Sequence, residues 1–426
     1  KTIASFKLPL QKNTQMQFSE LHLNASLLKA IAEERFQTPT LVQEQAIPPI
    51  LAKKNVIVSA QTGTGKTAAF ALPILQLLLD RQDTEKKPKR IKSLIVTPTR
   101  ELCLQIEANF KSYAKHTDLT TTAVYGGVSL APQKEILKEG VDILIATPGR
   151  LIDLQKQGAI DLRAIEIFVL DEADLMLDMG FIDDVTTIEG LCPRKKQSLL
   201  FSATIPDKII ALSKTMLKNP VTIKINPAEA TAKTIGQLLY YSPKKNKTDL
   251  CLHLLRNTIN GKIIIFRRTR IGVDKLEETL SKNGYKVTSI HGEKTQIIRN
   301  KAIEDFKNKK ATILIATDVA ARGIDINNVD AIINFDIPNI PETYIHRIGR
   351  TGRAGKSGIA FSFCSPDEDA YIKTIEELLQ RPIKVITDHP YPLVQPKKQK
   401  IQPNTISKHK KGRKSEASKK KKKRWY

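Results

Sequence analysis

Cysteine is scarce and scattered in this chain. Cys103, Cys192, Cys251 and Cys364 form no Cys-x-x-Cys pair, which excludes a disulfide framework and a structural zinc ribbon and fits a reducing compartment. Long apolar runs are also missing. The most apolar helical stretch, Ala68 to Leu79, is interrupted by Pro73 and Gln76, so nothing reaches the roughly 20 residues of a membrane span. The first residues show no charged-then-apolar secretion pattern. These absences make a cytoplasmic protein without membrane contact the expectation. Aromatics amount to 5% and are not interleaved with the basic stretches, which argues against stacking platforms for bases. Acidic residues are in deficit: Lys and Arg number 69 against 44 Asp and Glu, for a net charge of +25. More than half of that excess lies between Lys397 and Arg424, where Glu416 is the single acid. Such a balance points to a polyphosphate partner, although for the tail a plain solvated segment is the competing reading.

What is present is a pair of phosphate-handling signatures about one domain apart. Ala60-Gln61-Thr62-Gly63-Thr64-Gly65-Lys66-Thr67 follows the β-branched run Asn55 to Ser59 and leads into a helical pattern. Strand, glycine loop and helix start are what a polyphosphate cradle requires, because free backbone N–H groups and the helix dipole then face the anion. Thr62, Gly63, Thr64 and Gly65 are expected to form the cradle, Lys66 to reach the β- and γ-phosphates of a nucleoside triphosphate, and the Thr67 hydroxyl to ligate Mg2+. Asp171-Glu172-Ala173-Asp174 follows the apolar run Ile167 to Leu170. Asp171 is expected to hold the same ion and Glu172 to activate water. The second signature, His346-Arg347-Ile348-Gly349-Arg350-Thr351-Gly352-Arg353, brings arginines that complete such a site only if a second domain faces the first.

Short apolar runs alternate with helical patterns along both halves. They predict strands at Val56–Ser59, 94–97, 122–125, Ile143–Ala146, Ile167–Leu170 and 199–202. In the second half they predict strands at 238–241, Ile263–Phe266, Val287–Ile290, Ile313–Ala316, 332–335 and 359–363. Continuous runs of this length are the mark of parallel strands buried on both faces. The predicted fold is therefore α/β, with two parallel-sheet domains in tandem, at 16–222 and 236–388. Residues 1–15 are an N-terminal extension. Residues 223–235, which include Asn226-Pro227, serve as linker, and 389–426 as a disordered lysine-rich tail. The polar turns after the strands gather on one rim of each sheet.

With these residues assembled, the chain resembles the DEAD-box ATP-dependent RNA helicases from Phe18 to about Asp388, which implies that the two tandem parallel-sheet domains are RecA-like. Phe36 to Gln43 resembles the adenine-sensing Q motif, with Phe18 upstream. Pro98-Thr99-Arg100-Glu101-Leu102, Gly126-Gly127, Thr147-Pro148-Gly149-Arg150 and Ser202-Ala203-Thr204 follow in order. So do His291-Gly292-Glu293 with Gln296 and Arg299, Thr317 to Asp325, and His346 to Arg353. Met179-Gly180-Phe181 and Phe266-Arg267-Arg268-Thr269 look most like the bacterial RhlE-type branch. The resemblance implies that Gln43 reads the adenine edge and that Phe18 stacks on the base, unless Phe18 is simply a core aromatic. It further implies that Asp325 meets the ribose and that Arg350 and Arg353 are arginine fingers. Arg347, beside His346, ties this motif to the first domain's acids or merely pairs locally. Ser202 and Thr204 couple the acidic motif to closure, the alternative being an ordinary cap. RNA is expected along Thr99, Arg100, Gly126, Gly127, Thr147 and Arg150, and along Arg268, Gly292, Thr317 and Asp318, held by its backbone without regard to sequence.

Three positions depart from the family pattern. Arg35 stands where a glycine is usual, Leu41 where proline is frequent, and Arg267 is expected to add positive charge near the cleft. Competing functions are a DNA translocase, a non-catalytic RNA clamp and a basic RNA chaperone. The intact Lys66, Glu172, Arg350 and Arg353 favour an ATP-hydrolysing, monomeric motor acting in ribosome assembly or RNA decay.

Overall fold

A computed structural model describes residues 16–61, 63–81, 90–225, 235–321, 326, 329–352 and 358–393. Thr62, Asp325 and Arg353, the extension 1–15 and most of the linker and tail lie outside the described residues.

Two seven-stranded sheets carry the fold. The first holds β1 (Val56–Ser59), β2 (Ser93–Val96), β3 (Thr121–Val124), β4 (Ile143–Ala146), β5 (Ile167–Leu170), β6 (Gln197–Ser202) and β7 (Val221–Lys224). The second holds β8 (Ile235–Tyr241), β9 (Ile263–Phe266), β10 (Val287–Ile290), β11 (Ile313–Ala316), β12 (Ala331–Asn334), β13 (Gly358–Cys364) and β14 (Lys384–Val385). Their orders are β3-β4-β2-β5-β6-β1-β7 and β10-β11-β9-β12-β13-β8-β14, one order used twice. Every pairing is parallel, as in β1 with β6 and β9 with β12. The apolar runs are continuous because each sheet is covered on both faces. Leu72, Phe70 and Phe201 pack on one face of the first sheet and Phe168, Leu170 and Met176 on the other. The second sheet has the same two layers.

All twelve predicted strands are found, several extended or shifted by one to three residues. β7 and β14 were not predicted. β7 runs parallel to β1 at the edge of the first sheet and occupies the start of the stretch read as linker. Only one of its residues, Ile223, is buried, so its sequence lacks the continuous apolar run that marks the inner strands. Arg35 takes φ of +61°. The left-handed turn that glycine adopts without strain is kept here with an arginine in it. Leu41 opens the helix Leu41–Leu51 and stays exposed.

Candidate functional site

The glycine loop joins β1 to the helix Lys66–Leu79, and the helix Leu41–Leu51 is latched onto it. Thr40 caps that helix. Its N–H donates to Gln43 Oε1 at 2.9 Å, and its hydroxyl donates to the Thr64 carbonyl at 2.8 Å. Gln43 Nε2 donates to the Gly65 carbonyl at 3.2 Å. The approach is close enough to require glycine. Gly65 has φ of +92°, and a Cβ there would lie 2.5 Å from Gln43 Nε2. Gln43, expected to read adenine, is thus also a strut of the phosphate loop. Phe18 is 6% exposed in the core and stacks on Phe36 with centroids 6.4 Å apart. Its described contacts are those of a core aromatic.

Lys66 and the acidic motif meet although 106 residues separate them. Lys66 Nζ donates to Glu172 Oε1 at 3.0 Å, and both side chains are nearly enclosed. Burial opposes the charge on Lys66, but Glu172, Asp171 and Asp174 outweigh it and hold the pKa above the usual lysine range. Burial pushes the Asp171 carboxyl up to about 7, with Lys66 acting against the rise and Glu172 adding to it. Glu172 takes φ of +53°, a left-handed backbone uncommon for a side chain of this kind and a recurrent feature of functional turns. Its N–H donates to Asp171 Oδ1 at 3.0 Å.

Ser202 and Thr204 engage the last acid of the motif. The Asp174 N–H donates to Ser202 Oγ at 3.0 Å, and Asp174 Oδ2 accepts from the Thr204 N–H and hydroxyl, both at 3.1 Å. Asp174, whose role no motif disclosed, is therefore the hub between the two motifs.

In the second domain, Arg347 is 2% exposed, and among the described residues its hydrogen bonds end within that domain. It grips Asp318 through Nε at 2.6 Å and Nη2 at 2.7 Å. Nη1 donates to Asn334 Oδ1 and the Asp336 carbonyl, and the guanidinium lies 5.0 Å from the Phe266 ring centroid. Of its two readings, a tie to the first domain's acids or a local pair, the described bonds are those of the local pair: a buried guanidinium needs acceptors beside it, and Asp318 supplies them. Asp318, expected on RNA, is thereby engaged with Arg347. Arg350 is 5% exposed and donates from Nη2 to the Ala321 carbonyl at 3.3 Å. His346 lines a small cavity with Asp318, Thr343, Arg347 and Arg350.

The remaining RNA candidates lie at strand ends on the two rims. Thr99 caps the helix Arg100–Tyr113, accepting from the Leu102 N–H. Arg100 sits 4.7 Å over the Tyr125 ring, and Arg150 Nη2 donates to the Val128 carbonyl at 2.8 Å. Thr147 opens the helix Pro148–Lys156. A Cβ at Gly126, Gly127 or Gly292 would meet open space, so a ligand backbone can come close there. Thr317 is placed by a bond to the Ile290 carbonyl. Arg268 Nη2 donates to Glu368 at 2.9 Å, and its guanidinium lies 5.7 Å from the Tyr371 ring centroid. Aromatics therefore do accompany basic residues, in pairs that are remote in sequence. Arg267 does not add free charge to the cleft. It pairs with Asp336 at 3.1 Å and stacks 4.1 Å over Phe335.

Among the described residues, Glu101 joins the halves. Glu101 Oε1 accepts from Gln296 Nε2 at 2.6 Å and pairs with Arg299 Nη2 at 3.2 Å. The motif matches contained all three residues but gave them no partners.

Comparison with known proteins agrees with this geometry. Residues 40–212 match the DEAD/DEAH box helicase family and residues 246–355 the helicase conserved C-terminal domain. The chain is 44% identical to the DEAD-box ATP-dependent RNA helicase RhpA of Helicobacter pylori, over 82% of this chain and 70% of that one. It is 43% identical to the ATP-dependent RNA helicase SrmB of Escherichia coli, over 86% and 83%. Among solved structures, S. cerevisiae Dbp5 bound to RNA and ADP BeF3 superposes with a TM-score of 0.77 at 32% identity, covering 87% of this chain and 95% of that one. With the ordered motifs on the paired rims of two like sheets, and with relatives this close over most of its length, the chain belongs to the DEAD-box ATP-dependent RNA helicase family.

Proposed function

We propose that this RNA-dependent ATPase closes on RNA with ATP, locally unwinds short duplexes, and reopens on hydrolysis to ADP and phosphate. The observation that carries the reading is the meeting of Lys66, Glu172 and Asp171 over a glycine loop at the carboxyl ends of β1 and β5. Lys66 neutralises the β- and γ-phosphates, cradled by Thr62, Gly63, Thr64 and Gly65, and Glu172 takes the proton from the attacking water. Oxygen donors are what the Thr67 hydroxyl and the Asp171 carboxylate offer, a set suited to Mg2+, which would neutralise phosphate charge there. Gln43 reads adenine from the helix that braces the loop and Asp325 meets the ribose, while Phe18, packed on Phe36 in the core, takes the second of its two readings and supports that segment. Arg350 and Arg353 stabilise charge on the transferred phosphoryl group. His346 and Arg347 hold that motif, and Asp174 passes its state to Ser202 and Thr204.

RNA runs along Thr99, Arg100, Gly126, Gly127, Thr147 and Arg150, and then along Arg268, Gly292, Thr317 and Asp318. Residues 16–222 and 236–388 act as the two moving bodies, 223–235 as their linker, and the basic tail as an RNA tether. We place the chain in the RhlE-type branch on Met179-Gly180-Phe181 and Phe266 to Thr269, as a cytoplasmic monomer acting on ribosomal precursors or in RNA decay. The test is steady-state ATP hydrolysis with single-stranded RNA or DNA, for wild type and Glu172→Gln. Strong stimulation by RNA alone, lost in the variant, is expected. Equal stimulation by DNA would overturn the RNA reading, and no hydrolysis with either would leave a clamp.

A further inference from the structure

One side chain ties together the carboxyl ends of four neighbouring strands in the second sheet, β9, β12, β13 and β8. Glu368 follows β13 and is 3% exposed. Its Oε1 accepts from Arg268 Nη2, after β9, at 2.9 Å and from the Ile337 N–H, after β12, at 3.1 Å. Its Oε2 accepts from Lys247 Nζ, after β8, at 2.5 Å and from the Ser365 N–H and hydroxyl at 3.1 and 2.8 Å. Lys247 is 1% exposed and also donates to the Phe335 carbonyl at 2.9 Å. A carboxylate so fully supplied with donors has one orientation. Arg268 takes its own from it, with Nη2 also donating to the Ile337 carbonyl at 2.8 Å and the guanidinium over Tyr371. The side chain of Arg268 remains 45% exposed, so the cluster is buried at its root and reaches solvent through that arginine.

We propose that Glu368 is a positioning residue for RNA binding: it fixes the guanidinium of Arg268 at the rim so that a backbone phosphate meets a set donor. A buried Lys–Glu pair gains little stability over two apolar side chains. A guanidinium that must present its planar edge to phosphate does need a fixed carboxylate behind it. The inference rests on the reading of Arg268 as an RNA contact.

The test uses the full chain, a labelled single-stranded oligouridylate and a non-hydrolysable ATP analogue, with affinity measured across a salt series. Lys247→Met/Glu368→Gln removes one positive and one negative charge, so local net charge is unchanged while the carboxylate that orients Arg268 is lost. Arg268→Ala should weaken RNA binding and lower the slope of log K against log salt by about 0.7, as for one phosphate contact on a single strand. The double variant should weaken binding by roughly three- to tenfold, the scale of one charge-assisted hydrogen bond losing its geometry. Adding Arg268→Ala to it should then cost little more. If Arg268→Ala alone binds RNA like wild type with an unchanged slope, the reading of Arg268 fails and the proposal with it. If Arg268→Ala weakens binding but the double variant binds like wild type, Glu368 is structural and the proposal alone is overturned. Should the double variant not fold, Glu368→Asp carries the same test. It keeps the charge but withdraws the carboxylate by one methylene, and wild-type affinity in that variant would overturn the proposal.

Discussion

The two sheets share one strand order yet treat the charges on their rims in opposite ways. On the first rim, groups of opposite sign are turned toward each other: Lys66 meets Glu172, with Asp171 and Asp174 adding to the field on the lysine. On the second rim the arginines are bound into their own domain, Arg347 by Asp318 and two further acceptors, Arg350 by the Ala321 carbonyl. One topology therefore supplies both rims, and side-chain chemistry separates the rim where opposite charges face each other from the rim where arginines are held by acceptors. The lesson concerns how each rim should fail. Groups that hold one another across a ligand site should lose chemistry before fold, and an arginine enclosed by acceptors should lose fold before chemistry.

The sharpest break in the comparison comes from Arg350, since it sits on the second rim but is assigned chemistry of the first. Arg350→Ala is expected to cut RNA-stimulated ATP turnover by about 10³–10⁵, the range for an arginine finger, with little change in melting temperature. Glu172→Gln should fall in the same class. Turnover and thermal melts of both variants decide it. An Arg350→Ala protein that melts early and keeps its residual turnover would put Arg350 with Arg347 as a structural arginine.

Arg347 is expected to do the reverse. Arg347→Met leaves the Asp318 carboxylate without its partner and should destabilise the second domain by about 3–5 kcal/mol, the cost of breaking a buried pair from one side. Lys66→Met should remove turnover at a much smaller cost, because the Asp171 carboxyl, already raised to about 7 by burial, can answer the loss of the cation by taking up a proton. Urea unfolding of the two variants side by side sharpens the distinction. Equal losses would erase it.

How far this division was legible in the sequence follows from where each partner sits. The inner strands and the phosphate loop were legible because their signal is local: an apolar run, then glycines, then Lys66-Thr67. β7 was not, since an edge strand with one buried residue looks like a loop after Asn219-Pro220. Arg35 shows the converse, a turn kept at φ of +61° though its usual residue is gone. Among site residues, the presence of Arg347 was legible but not its task, because Asp318 lies 29 residues away in sequence. Asp174 was hidden for the same reason, its partner Thr204 being 30 residues distant. Motifs disclose which side chains are available. Pairing across strand ends decides what they do, and it is a property of the sheet order.

Asp171 gives the first rim a dependence on pH. Its carboxyl sits at about 7, raised by burial, with Lys66 pulling it down and Glu172 pushing it up. A carboxyl whose pKa is higher in the folded chain than the roughly 3.9 of an unfolded one binds its proton more tightly when folded. Its contribution to stability is complete below the unfolded value and is lost as pH rises through about 7. Without nucleotide or divalent metal, wild type should therefore lose melting temperature as pH rises from about 4 to about 7, and Asp171→Asn should lose less. Parallel profiles would mean that Asp171 does not titrate in this window.

The smallest effect is expected where the two rims meet. Glu101 is the first-domain residue that accepts from Gln296 and pairs with Arg299, and the carboxylate and guanidinium are 13% and 18% exposed. A charge-assisted bond of this kind contributes about 1.5–3 kcal/mol, less where water reaches it. Because it spans the halves, its loss should appear in the coupling between ligands rather than in either affinity. Glu101→Gln is expected to leave ATP binding without RNA, and RNA binding without ATP, near wild type. It should lower their mutual enhancement by about tenfold, equivalent to 1.4 kcal/mol. Glu101 is also adjacent to Arg100, so a purely local effect on RNA is the alternative. A double-mutant cycle with Arg299→Gln separates the two. If the pair acts across the halves, the second substitution adds little once the first is made. If the effect is local to Arg100, RNA affinity falls even without ATP and the two substitutions add.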